Sequence, residues 1–199
     1  MQSRSVSAVI FAGGQGTRLG GVKKAMLEVG SQPIIARILD AVRPLASEVI
    51  VVDNDDTLRA LPGIRIVPDS ETQAGVLVAL HSGLSAASGE LCIALACDMP
   101  FVNGELLAWM IEQADAHDVV IPTTEGQLDP LHAIYRRQPC LDAIGSALAR
   151  GEKRMISYLS DVRVREVGEA EMRIMDPELR SLFNVNTPED LALANRLAG

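Results

Sequence analysis

Residues 11–27 read FAGGQGTRLGGVKKAML, and they carry the densest chemistry in the chain. An apolar run opens into five glycines, Gly13, Gly14, Gly16, Gly20 and Gly21, with Arg18 and Lys24 interleaved. Glycines let a backbone approach a phosphate chain and aim its N–H groups at it. Arg18 and Lys24 can neutralise phosphate charge. The alternative is a surface loop with two solvated cations, but turn chemistry alone does not ask for five glycines directly after a buried strand. Two familiar phosphate loops do not fit. A P-loop needs GxxxxGK[ST], and Gly21 is followed by Val22. A dinucleotide fingerprint needs GxGxxG, and Leu19 stands where its third glycine belongs.

A second cluster is Ala96-Cys97-Asp98-Met99-Pro100. An Asp at the end of a buried strand can hold a hard cation such as Mg²⁺, which takes one or two carboxylates together with substrate phosphates and waters. It can also simply cap a turn. Asp69 ends another apolar run, and Gly75 follows a few residues on. Asp69 has the acceptors to bind a base or ribose, and Gly75 permits close backbone approach, although strand-end Asp is also a common turn residue. In Asn184-Val185-Asn186 an extended backbone would put both Asn side chains on one face. They can then reach a phosphate or a metal-bound water, or serve as a polar lead into the next helix. Lys153 and Arg154, in GEKR, can bind a second anion or form a solvated charge run. Of the three histidines, His81, His117 and His132, none has metal-ligand spacing, and only His132 in PLHAIY invites further attention.

The elements that must position these groups follow from apolar periodicity. Strands are expected at residues 6–11, 49–52, 64–67, 91–96 and 119–121, and helices at 33–42, 75–87 and 105–116. Continuous apolar strands alternating with helices predict an α/β, Rossmann-like three-layer fold with a mostly parallel sheet. Ligands on such sheets bind beyond the carboxyl ends of the strands, where Gly13, Asp69 and Asp98 fall. In the second half, strands are expected at 131–135 and 162–167 and helices at 139–150 and 154–159. A last helix should start at Thr187, with Thr187 as N-cap and Pro188 in the first turn. Residues 1–199 are expected to form one domain, with room for a small lobe between 123 and 183.

Composition narrows the function classes. The chain has 199 residues, 48% of them hydrophobic, enough to bury a core. A net charge of −8 argues against nonspecific nucleic-acid binding, which needs clustered cations, but leaves room for a nucleotide. Cys92, Cys97 and Cys140 form no CxxC, which points to a reducing, cytoplasmic setting without disulfide or zinc framework. No apolar run is long enough to span a bilayer, so no membrane partner is expected.

Taken in order, FAGGQGTRLGGVKKAML, ACDMP, GEKRMISYL and FNVNTPEDL resemble the motifs of the MobA-like nucleotidyltransferases, and among them the molybdenum cofactor guanylyltransferases. The resemblance implies transfer of GMP from GTP to the terminal phosphate of molybdopterin, with release of pyrophosphate. It implies nucleotide contacts at Phe11, Ala12, Gly13, Gly14, Lys24, Asp69, Gly75 and Asp98, with Mg²⁺ on Asp98. Arg18, Lys24 and Asp98 would be catalytic. Lys153, Arg154, Asn184 and Asn186 would face the pterin. Transient contact with other cofactor-synthesis proteins is also implied. One departure and one match bear on the base. The family's GPLAG is here Gly75-Val76-Leu77-Val78-Ala79, and Gly14 suits guanylyltransferases better than cytidylyltransferases. A CTP-using relative, a sugar-1-phosphate nucleotidylyltransferase and a noncatalytic nucleotide-binding regulator remain alternatives at this stage.

Overall fold

A computed structural model of the chain describes residues 4–13, 22–55, 57–68 and 75–199. The elements run β1 (Val6–Phe11), a 3₁₀ turn (Lys24–Met26), the two-stranded ribbon β2 (Glu28–Val29) and β3 (Gln32–Pro33), α1 (Ile34–Val42), β4 (Glu48–Val52) and β5 (Arg65–Val67). They continue with α2 (Val76–Ala86), β6 (Leu91–Ala96), α3 (Gly104–Gln113), β7 (Val119–Thr124), β8 (Gln127–Leu128) and β9 (His132–Arg136). The last are α4 (Arg137–Ala149), β10 (Val164–Gly168), α5 (Glu169–Met172) and α6 (Pro188–Ala198).

Among the described residues one sheet has the order β10-β7-β9-β6-β1-β4-β5, with β8 hydrogen-bonded to β7. β1 pairs in parallel with both β4 and β6, β4 with β5, and β7 with β10. β9 is inserted antiparallel between β6 and β7. The expected strand at 131–135 is therefore an internal strand of the one sheet, and it continues that sheet within the stretch where a lobe had room to form. β7 and β8 join through Glu125 and Gly126, both at positive φ (50° and 76°), the backbone of a two-residue type I′ hairpin.

The strand side chains alternate between two buried faces. Val6, Ala8 and Ile10 of β1 pack with Val49, Val51, Leu91, Ile93 and Leu95 against α1, α3 and α6. Val9 and Phe11 pack with Ile50, Val52, Cys92 and Ala94 against α2 and α4. These are the three layers that the continuous apolar runs required. In α1 the buried positions Ile34, Ile35, Ile38, Leu39 and Val42 form a stripe at helical spacing. α3 begins at Asn103, whose side chain accepts from the N–H groups of Glu105 (2.8 Å) and Leu106 (3.1 Å).

Residues 154–159, expected as a helix, instead form turns ending in a 3₁₀ segment at Leu159–Asp161. Gly151 precedes them with φ of 78°, which ends α4 in the left-handed region. Tyr158 is then fully buried in the core on the α2/α4 side, so one inward anchor replaces an amphipathic stripe. The short β2–β3 ribbon and β8 had no periodic signal long enough to mark them.

α2 lies close over β1 because residue 83 is glycine. A Cβ built there would sit 2.6 Å from Val9 Cγ1, 3.1 Å from Val52 Cγ2 and 3.2 Å from Phe11 Cζ. Gly83→Ala should therefore destabilise the protein. Overpacking costs about 1–3 kcal/mol, against a helix-propensity gain of up to about 1 kcal/mol. A lower urea midpoint with unchanged slope is expected, and an unchanged or raised midpoint would mean that α2 has room to retreat.

Candidate active site

The carboxyl ends of β5, β4, β1 and β6 lie side by side because these four strands are parallel neighbours. Beyond the end of β1 the backbone stays pinned to both flanking strands. The Ala12 N–H donates to the Val52 carbonyl (2.9 Å), and the Cys97 N–H donates to the Phe11 carbonyl (3.1 Å). Phe11 and Ala12 are buried, and Gly13 is the first exposed residue after them. Gly14, Arg18 and Asp69 lie outside the described residues.

The chain returns to this edge at Lys23 and Lys24. Ala25 and Leu27 are buried among the α1-side core residues, which fixes the short turn. Its first residue, Lys24, extends its ammonium across the end of β6. There Lys24 Nζ donates to Asp98 Oδ2 at 2.9 Å and to Asn186 Oδ1 at 2.5 Å. Three distant segments thus meet through one cation. Asp98 and Lys24 side chains are only 15% and 19% exposed, so the pair is shielded from much of the screening that weakens surface ion pairs. Asp98 Oδ1 is buried and, among the described residues, has no hydrogen-bond partner.

Asn186 is placed by two local devices. The Val185 N–H donates to the Asp98 carbonyl (2.9 Å), with the Val185 side chain fully buried. The N–H groups of Asn186 and Thr187 both donate to Asp190 Oδ2 at 2.9 Å, while Thr187 Oγ1 accepts the Asp190 N–H at 3.1 Å. This reciprocal cap starts α6 at Pro188, as the sequence predicts. Asn184 is half-buried and donates from Nδ2 to the Leu182 carbonyl (3.0 Å).

Gly75 caps α2 with φ of 92°, a conformation that favours glycine. A Cβ there would lie 3.8 Å from the Lys153 carbonyl, so the segment carrying Lys153 and Arg154 runs beside the start of α2. Both side chains are exposed. The structure thus joins Lys24, Asp98 and Asn186 by direct bonds and sets Gly75 beside Lys153.

Sequence reasoning missed a second charged group on the same edge. Lys23 bonds Asp53, at the end of β4, and also Asp55 at 2.6 Å. Asp53 is 4% exposed. Burial opposes the Lys23 charge, but hydrogen bonds to Asp53 and Asp55 outweigh it and raise the Lys23 pKa. The Lys23 hydrogen bond in turn pulls Asp55 down to about 2. The available signal was a Lys-Lys pair facing an Asp that directly ends an apolar strand. Cys97, beside Asp98, is pushed up to about 12, chiefly by burial and further by the Asp98 charge, so it is a neutral packing group at ordinary pH.

The chain and its fold have counterparts among known proteins. The model of the MobA-like NTP transferase domain matches residues 8–164, which span β1 to the start of β10. The chain belongs to the MobA-like NTP transferase family. The probable molybdenum cofactor guanylyltransferase of Pelotomaculum thermopropionicum is 36% identical over 96% of this chain and 93% of its own length. That of Methanosarcina mazei is 38% identical over 96% and 90%. Among solved structures, molybdopterin-guanine dinucleotide biosynthesis protein A from Archaeoglobus fulgidus superposes with a TM-score of 0.80 at 25% identity, covering 96% of this chain and 97% of that one. Membership makes this chain a nucleotidyltransferase and agrees with the Rossmann-like architecture observed here.

One buried group in this MobA-like chain stands apart from the charged edge. His132, on β9, is fully buried opposite Leu95, and among the described residues neither ring nitrogen has a partner. Burial pulls its pKa down to about 4, with the Asp176 carboxylate acting in the opposite direction. The unfolded chain binds a proton at this residue near pH 6.5, whereas the folded one resists until about 4. Stability should be full above pH 6.5 and fall as pH drops through this interval, by on the order of 3 kcal/mol in total. In urea titrations at pH 7 and pH 4.5, His132→Leu should lose much less stability between the two than the unsubstituted protein. Equal losses would show that His132 is not the group responsible.

Proposed function

We propose that this chain transfers GMP from GTP to the terminal phosphate of molybdopterin, releasing pyrophosphate and forming the guanine dinucleotide cofactor. The observation that carries this reading is the Lys24–Asp98–Asn186 cluster at the carboxyl edge of the sheet, with one Asp98 oxygen on Lys24 and the other without a partner among the described residues. The names of the guanylyltransferase relatives and the Gly-rich segment 13–21 support the choice of base and acceptor.

The donor set suits Mg²⁺. Asp98 Oδ1 is a hard oxygen donor in a buried position, without a partner among the described residues, and Mg²⁺ accepts one protein carboxylate with phosphates and waters completing its shell. Asp98 would hold the ion, with Asn186 beside it through Lys24. When bound, the ion supplies charge stabilisation on the phosphate oxygens.

The chain's own residues supply the rest. A lysine ammonium has three donors, and among the described residues Lys24 uses two, on Asp98 and Asn186, so the third can serve a phosphate oxygen. Arg18 adds a second cation, and the backbone of Phe11, Ala12, Gly13 and Gly14 positions the triphosphate. Asp69 and Gly75 face the nucleoside. Lys153, Arg154, Asn184 and Asn186 hold the pterin phosphate side. The acceptor phosphate oxygen forms a bond to the α-phosphorus of GTP as the bond to the pyrophosphate oxygen breaks, and no protein nucleophile is needed. Lys24 and Arg18 offset the charge that gathers on the phosphates during this exchange. The chain acts as one domain over residues 1–199, in the cytoplasm, with transient contacts to other cofactor-synthesis proteins. Its free, buried cysteines suit a reducing compartment, and among the described residues no helix is long and apolar enough to cross a membrane.

Calorimetry with GTP, CTP, ATP and UTP, each with and without Mg²⁺, tests the reading. Selective GTP binding that Mg²⁺ strengthens and Lys24→Ala removes is expected. Asp98→Ala should lower turnover by on the order of 10²–10³-fold while the protein stays folded. Preference for CTP would move the chain to cytidylyl transfer, preference for UTP or ATP to sugar-phosphate acceptors, and unchanged metal-dependent turnover in Asp98→Ala would reject the site.

A further inference from the structure

Two adjacent lysines leave the glycine-rich segment and part company. β1 lies between β4 and β6, and the backbone at Lys23 is extended (φ −62°, ψ 121°), so successive side chains diverge. Lys23 takes the carboxylates that follow β4, and Lys24 takes the carboxylate that follows β6. The β4 carboxylate is closed off. Asp53 Oδ2 accepts from Lys23, and Oδ1 faces the Asp55 N–H at 3.4 Å. The Asp98 carboxylate has one oxygen without a partner among the described residues.

We infer that Lys23 is a positioning residue: by holding Asp53 and Asp55 it leaves Asp98 as the strand-end carboxylate that engages Lys24 and the incoming nucleotide. This rests on the proposed function. Lys23 works on Asp53 and Asp55, the two carboxylates its ammonium holds, and not on the reacting atoms. It acts through what it withholds. With Lys23 neutralised, Asp53 becomes an unpaired, nearly buried carboxylate on the edge where Lys24 sits, one residue away in sequence. It then competes with Asp98 for Lys24 and repels the polyphosphate.

The test uses the full chain and reads GTP affinity by calorimetry in the absence of metal, beside melting temperature and steady-state KM and kcat. Lys23→Gln should weaken GTP binding by about tenfold under conditions where it remains folded, the effect of one misplaced charge at close range. Lys23→Arg should stay close to the unsubstituted protein. Adding Asp53→Asn to Lys23→Gln should restore most of the lost affinity, because the competing charge is then gone. Asp53→Asn alone should bind GTP nearly as well as the unsubstituted protein, and it keeps the inference falsifiable if Lys23→Gln fails to fold. Full affinity in Lys23→Gln, a loss that Asp53→Asn does not repair, or a tenfold loss in Asp53→Asn alone would each overturn it. If the unsubstituted protein binds no GTP, the functional reading falls and takes this inference with it. If it binds GTP and Lys23→Gln binds equally well, only this inference falls.

Discussion

A carboxylate at the buried end of a strand needs a cation beside it, and the site depends on how Asp98 obtains one. Removing charge from water is expensive, and a half-buried pair repays that cost only when geometry and further hydrogen bonds are good. Lys24 meets Asp98 at 2.9 Å and is itself held by Asn186, so the cation is fixed from two sides. Among the described residues Asp98 Oδ2 is engaged by Lys24 and Oδ1 has no partner.

The architecture exists to bring those three residues together. Parallel pairing of β1 with β4 and β6 puts three carboxyl ends in a row. Backbone bonds from Ala12 to Val52 and from Cys97 to Phe11 carry the pairing one step past the strands, so the edge is rigid where the loops begin. The chain's last segment is then tied to the same edge by the Val185–Asp98 backbone bond and by the Thr187–Asp190 cap. Close approach of α2 at Gly83 keeps the other face tight. Packing, capping and sheet register all converge on placing a lysine, an aspartate and an asparagine that lie far apart in the chain.

Much of this was legible because it is written in local patterns. Val6–Phe11 and Leu91–Ala96 are apolar on both faces, and such runs have few alternatives to an internal strand. Thr187-Pro188 announces a helix start by its own chemistry. Asp98 could be singled out because it ends such a run. The antiparallel insertion of β9 was not legible, since pairing partners are chosen by the whole sheet and not by the strand's own residues. The segment after Gly151 looked helical in its apolar spacing, yet one buried tyrosine and a left-handed glycine decide its path. The Lys23–Asp53 pair joins residues that no periodicity links, so the fold had to bring Lys23 to the end of β4 before the pairing could be read.

The two ends of the sheet show why the open oxygen matters. At the amino end Glu48 is also a partly buried carboxylate, and it is saturated. Its Oε1 accepts from Ser7 Oγ (2.6 Å) and from the N–H and Oγ of Ser88 (2.7 and 2.6 Å), and its Oε2 accepts from Arg65 (3.0 Å). Burial alone would raise its pKa, but the bonds from Ser7, Ser88 and Arg65 outweigh that and hold it at about 2. Such a group ties the β1–β4 ends together, with both of its oxygens bonded. Asp98 follows the carboxyl end of β6, on the far side of β1 from β4, and among the described residues its Oδ2 accepts from Lys24 while its Oδ1 has no partner. Among the described residues, the fold thus surrounds the carboxylate at the β1–β4 ends with donors and leaves one oxygen of Asp98 without any.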